Sequence, residues 1–172
     1  MIVRKRLFIA AMAATALIFT PLATASADEE FWAAVMRDLP EANVSLDQAL
    51  RTSEREGKPI SAEYDVENGD FQISVYVEKD GHFREVIVDA KSGAINTTKP
   101  ITVRQEVDEA QAQSAALSKA KLPLTAALAT AEDLNSGYRA VSIIPLLGDD
   151  ETVVAITLMK GEAIKQVAQK ID

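Results

Sequence analysis

Cysteine is absent from the chain, and histidine occurs once, at His82. The first absence excludes a disulfide framework, thiol catalysis, Cys-ligated zinc, iron–sulfur clusters and the lipidated cysteine of a bacterial lipoprotein. The second excludes zinc sites built on several histidines and leaves one imidazole for any Ser-His arrangement. Positive charge is scarce as well. Lys and Arg number 18 against 26 Asp and Glu, a formal charge of -8. That balance argues against a nucleic-acid partner, because holding a phosphate backbone rests on Lys and Arg neutralising it. No residue pattern asks for a cofactor or a metal. What is present is a chain of 172 residues, enough for one domain or two small ones with a buried core.

The first 27 residues read as an address. Arg4, Lys5 and Arg6 form a positive start, an uncharged run covers 7–27, and Ala25-Ser26-Ala27 gives a small-x-small cleavage pattern directly before Asp28. Twenty-one uncharged residues could also span a bilayer as an uncleaved anchor. Pro21, the polar Thr20 and Thr24, and the Ala-x-Ala end favour a signal peptide over residues 1–27, cleaved near Ala27. Removing Arg4, Lys5 and Arg6 with no acid takes the formal charge from -8 to -11. The expected product is an acidic periplasmic or secreted protein with no stable membrane anchor after cleavage.

The remainder reads as one pattern written twice. Val44–Leu50 aligns with Leu122–Leu128, and Ile60, Ala62 and Val66 align with Tyr138, Ala140 and Ile144. One longer loop, 145–151 against 67–70, then brings Ile73, Val75 and Val77 into step with Val154, Ile156 and Leu158. Ser45 with Gln48 is a capping box, and Leu46, Ala49, Leu50 and Ser53 share one helical face ended by Gly57 and Pro59. In the second copy Pro123 takes the helix start, where a missing N–H costs nothing. Ile60, Ala62, Tyr64 and Val66 alternate with polar neighbours, as do Phe71, Ile73, Val75 and Val77 after the hairpin signal Asn68-Gly69. The pattern predicts an α+β fold of two tandem units, each a helix packed on an antiparallel three-stranded sheet. The expected boundaries are an N-terminal helix at 28–43, a first unit at 44–95, a linker and helix at 96–121, and a divergent second unit at 122–172. Asn96–Pro100 reads as the polar start of the linker, and Val107, Ala110, Leu117 and Ala120 as the buried positions of its helix. Residues 163–171 conflict. Ala163, Ile164, Val167, Ala168 and Ile171 fall at helical spacing, whereas the repeat assigns a strand; the strand is expected as far as Val167, with 168–172 left between strand and helix.

The capped helix, the three-strand meander and the closing Val88-Asp89-Ala90-Lys91-Ser92-Gly93-Ala94-Ile95 together resemble the PepSY domain family. The resemblance covers 44–95 from helix to closing turn, and reaches 122–172 only through the internal repeat, since that copy ends at Ile171-Asp172 without the Gly-containing turn. It implies a protein that acts by binding, holding secreted peptidases inactive or modulating them. The family supplies no catalytic motif, so no catalytic residue carries over.

The residues themselves give little chemistry. His82 sits beside Gly81 at a hairpin tip, and the chain has no Gly-x-Ser-x-Gly elbow. Glu63 with Asp65, and Asp149-Asp150-Glu151, could pair for acid–base work, but read more simply as a wet strand face and a loop. Gly148-Asp149-Asp150-Glu151 lacks the ligand spacing of a calcium loop. Tyr76 shares the polar side of its strand with Gln72, Ser74 and Glu78, and these four are the expected partner-binding residues, docking another protein on an open sheet face. Addition of a partner strand to a sheet edge is the other expected route. The net charge is expected to steer basic partners. The expected function is therefore non-enzymatic binding or modulation of an envelope or secreted protein, a peptidase among the candidates. The alternative is a small-ligand or metal-ion binding protein with its pocket between the two units, and a carboxylate enzyme ranks last.

Overall fold

The computed structural model describes residues 25–147 and 151–172. In chain order its elements are α1 (Ala25–Asp38), a short 3-10 turn (Leu39–Glu41), α2 (Leu46–Ser53), β1 (Lys58–Glu67), β2 (Asp70–Lys79), β3 (His82–Asp89), β4 (Ile95–Pro100), α3 (Arg104–Leu117), α4 (Leu124–Asp133), β5 (Arg139–Leu147), β6 (Thr152–Lys160) and β7 (Ala163–Lys170). The signal-peptide reading falls almost wholly outside the described residues, and cleavage after Ala27 would trim the first turn of α1.

Local chemistry sets the first helix and the first hairpins. Ser45 Oγ accepts from the Gln48 backbone N–H at 3.2 Å while Gln48 Oε1 accepts from the Ser45 N–H at 2.8 Å, so the predicted capping box is formed. Asn68 and Gly69 have φ of 55° and 87°, the left-handed pair whose twist matches the strands of a two-residue hairpin. That turn sets Glu67 against Asp70 and fixes the β1–β2 register.

The strands form one antiparallel sheet in the order β4-β3-β2-β1-β5-β6-β7. At its centre β1 meets β5 through Ala62↔Ile143 and Glu63↔Ser142. One face carries Ile60, Ala62 and Tyr64, Ile73, Val75 and Val77, Val86 and Val88, and Val154, Ile156 and Leu158, all buried. Leu46, Ala49 and Leu50 of α2 and Leu124, Ala127, Leu128 and Ala131 of α4 close it. The other face is crossed by α3. Ser61, which points away from Ala62, donates to Gln113 Oε1 at 2.7 Å, and Ala110, Ala116 and Leu117 are buried with Gln113. From α3 the chain passes round the end of the sheet, where the Lys121 and Leu122 N–H groups donate to the Ile171 carbonyl at 2.6 and 3.0 Å. Val35 of α1 is fully buried, with Phe31, Trp32 and Met36 packed against the same core.

Two expectations about the strands change. The α+β class holds, but the described strands make a single seven-stranded sheet over one core, not two three-stranded sheets side by side. Pairing β1 with β5 satisfies two inner edges that separate sheets would leave open. Residues 96–100 are strand β4, not the start of a linker. Thr97 and Thr98 pair with Ile87 and Val86, where β-branched side chains suit the pleat and cover the outer edge of β3. The 163–171 conflict resolves to strand, since Met159↔Ile164 through Val153↔Lys170 run in unbroken register on β6. In α3, Ala110 and Leu117 are buried as expected, Val107 is only half-buried, and Gln113 and Ala116 take the interior instead; Ala120, past the end of α3, is half-buried too.

Candidate functional site

The closing segment of the meander acts as a clip. Asp89 Oδ1 accepts from the Lys91 N–H (3.1 Å), the Ser92 N–H (2.7 Å) and Ser92 Oγ (2.8 Å). Those donors, the Ser92 backbone N–H first, hold the Asp89 carboxyl below the usual range of its side chain. Gly93 has a φ of +75°, and a Cβ there would come to 3.5 Å from a Val44 methyl. The Ala90 carbonyl then accepts from the Asn43 and Val44 N–H groups at 3.0 and 3.1 Å, immediately ahead of α2. The Val88–Ile95 segment therefore holds the start of the helix it follows in space.

The four partner-binding residues expected from the sequence do not form an open surface. Ser74 is fully buried and donates to Glu85 Oε1 at 2.9 Å. Tyr76 is 4% exposed and belongs to the core cluster. Gln72 is buried, its amide 3.5 Å from Glu67 Oε2. Glu78 is half-buried and caps the β2–β3 turn by accepting the Gly81 N–H at 3.0 Å. Uncharged Gln, Ser and Tyr tolerate burial when paired, and α3 crosses this face of the sheet where Gln113 meets Ser61. His82 is exposed, its Nδ1 2.9 Å from the Asp80 carbonyl. Glu63 and Asp65 are half-buried on β1. Asp149 and Asp150 lie outside the described residues. Among the described residues no cluster of three or more His, Asp or Glu is placed to hold a metal ion, and no helix is long and apolar enough to cross a membrane.

Three features stand out instead. The first is a groove of about 500 Å³ between α2 and α4. Ala126, Ala129 and Ala140 leave the space, and Asp47, Arg51 and Glu132 give it polarity. Its charges are already engaged: Arg51 binds Asp47 through two bonds of 3.0 and 3.2 Å, and Glu132 Oε1 accepts the Ala140 N–H at 2.8 Å. The second is Arg139, at the start of β5. Its guanidinium donates to the carbonyls of Leu39 (3.3 Å), Ala42 (2.9 Å) and Val44 (2.7 Å) and to the Tyr64 hydroxyl, which itself donates to the Val44 carbonyl. Arg139 lies 5.2 Å from the centre of the Tyr64 ring, and Tyr64 stacks on Phe71 at 5.3 Å. Burial pushes the Tyr64 hydroxyl up to about 12 despite the neighbouring cation. Sequence reading missed Arg139, because a lone arginine after a tyrosine carries no periodic signal.

The third is the β7 edge. Strand β7 pairs with β6 on one side and has no strand on the other among the described residues. Ala163, Ile164, Gln166 and Ala168 are exposed along it, Ile164 by 40%. The opposite edge, β4, is shorter and ends in Pro100, which offers no N–H. Compared with known proteins, the chain matched no family model, no curated protein and no solved structure.

Proposed function

We propose that the chain is an exported, PepSY-like protein of two related units that binds and modulates another envelope or secreted protein, a secreted peptidase being the first candidate, without catalysis of its own. The α2–β1–β2–β3 order with its Asp89 clip, and the α4–β5–β6–β7 order after it, support the two-unit reading. With helices over both faces of the sheet, binding shifts from an open face to an edge. The observation that carries the proposal is β7: eight residues, free of proline, with one side of the backbone open to an incoming strand. Photo-crosslinking in intact cells from Ile164 and Gln166, beside control positions in the α2–α4 groove, tests it. A discrete protein adduct from the β7 positions is the expected result; adducts from the groove alone reject it. The mass of the mature chain, expected to begin at Asp28, tests export.

The groove favours a second reading, a small-ligand binding protein. A bound metabolite or metal ion would raise the melting temperature of the purified chain in proportion to the logarithm of its concentration. A screen that finds such a compound, and no crosslinked protein, decides for it.

A further inference from the structure

The partner-binding reading leaves the chemistry of the incoming strand open, and the corner where β7 begins narrows it. Lys165 on β7 lies 4.2 Å from the centre of the Tyr138 ring and donates to Asn135 Oδ1. Lys160, at the end of β6, lies 5.8 Å from the same ring and 3.5 Å from the Ser136 carbonyl. Both cations are thus gathered at one aromatic ring and held by neutral oxygens, with no carboxylate partner among the described residues. Further along β7, Lys170 is matched by Glu151. Residues 160–170 hold three lysines against the single acid Glu162, in a chain whose residues 28–172 carry a formal charge of -11. This lysine corner, on a molecule of net negative charge, sits beside β7, the longer and proline-free of the two edge strands among the described residues.

We infer that β7 receives an extended segment of the partner protein bearing acidic side chains, added as a further antiparallel or parallel strand, with a Glu or Asp of that segment meeting Lys160 and Lys165. This rests on the partner-binding reading and names the partner's chemistry. Backbone pairing along β7 supplies the docking, the exposed Ile164 supplies apolar contact, and the two lysines select charge. The negative field of the remaining surface opposes acidic segments elsewhere and so confines them to this corner. A second copy of the chain is disfavoured as the occupant, because pairing β7 with β7 brings two lysine-bearing strands together.

The test uses the mature chain and three synthetic peptides of β7's length, in which Val and Thr alternate with Glu, with Lys or with Gln. Backbone amide shifts locate binding, and titration at low and high salt measures it. The Glu peptide is expected to perturb the β7 amides. Lys160→Gln with Lys165→Gln should weaken it about tenfold, as should raised salt. Because Lys165 also packs on Tyr138, a second pair of variants avoids any folding effect: at Ala163, exposed and on the same face of β7 as Lys165, Ala163→Lys should tighten the Glu peptide and Ala163→Glu should weaken it. Equal binding of the three peptides, perturbation confined to the α2–α4 groove, or self-association through β7 without peptide each overturns the inference. In cells, β7 crosslinks that persist unchanged in the double Lys→Gln variant leave the partner-binding reading standing and reject the acidic segment. Loss of β7 crosslinks from the unaltered protein rejects the reading itself.

Discussion

Tyr64 and Arg139 show what a buried polar pair does at the scale of single residues. Arg139 answers three carbonyls that close the turn before α2; the Val44 carbonyl shares Tyr64 as a second donor and the Leu39 carbonyl the Ala42 N–H, while the Ala42 carbonyl is served by Arg139. Replacing it by Met keeps an unbranched apolar stem but removes all its donors. Arg139→Met should therefore lower stability by roughly 2–4 kcal/mol, since bonds to charged groups are worth more than neutral ones. Denaturant titration at neutral pH reads that loss. Tyr64 gives a pH signature instead. Its hydroxyl ionises near 10 in an unfolded chain and near 12 in the fold. The stability that comes from keeping it neutral is complete below pH 10 and is lost as pH rises from 10 through 12. A shift of that size corresponds to roughly 3 kcal/mol. Tyr64→Phe should be less stable than the unaltered chain by about 1 kcal/mol at pH 8, and should lack its share of the alkaline decline. Parallel alkaline limbs for the two proteins would show that Tyr64 is not the group responsible.

At the scale of elements, regular patterns were legible and covers were not. The alternation in 60–66 and 71–77, the Asn68-Gly69 turn and the Ser45–Gln48 box each state a local geometry, and α2 with β1, β2 and β3 follow from them. Strand β4 was hidden because Asn96–Pro100 has the composition of a loop, and only the open side of β3 makes it a strand. The second face was hidden for a related reason. Alternation says which side chains share a face, but not whether a helix returns to cover it. Ser61 with Gln113 is a pair that exists only after α3 has crossed the sheet, and Ser74 with Glu85 one that needs β3 paired to β2. The candidate site moved with that cover, from the Tyr76 face to the β7 edge, which in sequence competes with a helical spacing. Gly57 marks another tertiary constraint. A Cβ there would stand 2.7 Å from the Glu78 carbonyl oxygen and 3.2 Å from Val77 Cβ, where β2 leaves no room. Gly57→Ala should force the α2–β1 connection off the sheet and cost roughly 1–3 kcal/mol. Alanine at Gly69, where nothing lies within 4 Å, would separate this crowding from the effect of φ. A Gly57→Ala chain as stable as the parent would refute the contact.

The whole molecule adds a question the elements do not pose: whether its two halves are independent. Their direct strand contact is brief, two registered pairs between β1 and β5. Two other ties are stronger. Arg139, from β5, bonds to the turn that precedes α2, and α3 crosses from the β4 edge to Ser61 on β1 before the chain turns to α4. One hydrophobic cluster runs from Val35 through Ile60 and Val75 to Leu128 and Leu158. Opening either half would expose the shared part of that cluster and orphan the carbonyls that Arg139 serves. Those costs make partial unfolding nearly as expensive as complete unfolding, so the mature chain should melt in one transition, with calorimetric and van't Hoff enthalpies equal. The same argument predicts that residues 44–100 alone stay unfolded or aggregate: the fragment loses Arg139 and α3 and exposes the inner edge of β1. Two separated heat-capacity peaks, or a fragment with native-like hydrogen-exchange protection in β1 and β2, would show instead that the halves are autonomous. In that case the β7 edge would belong to a module able to dock on its own, and binding to it would not depend on the integrity of α2.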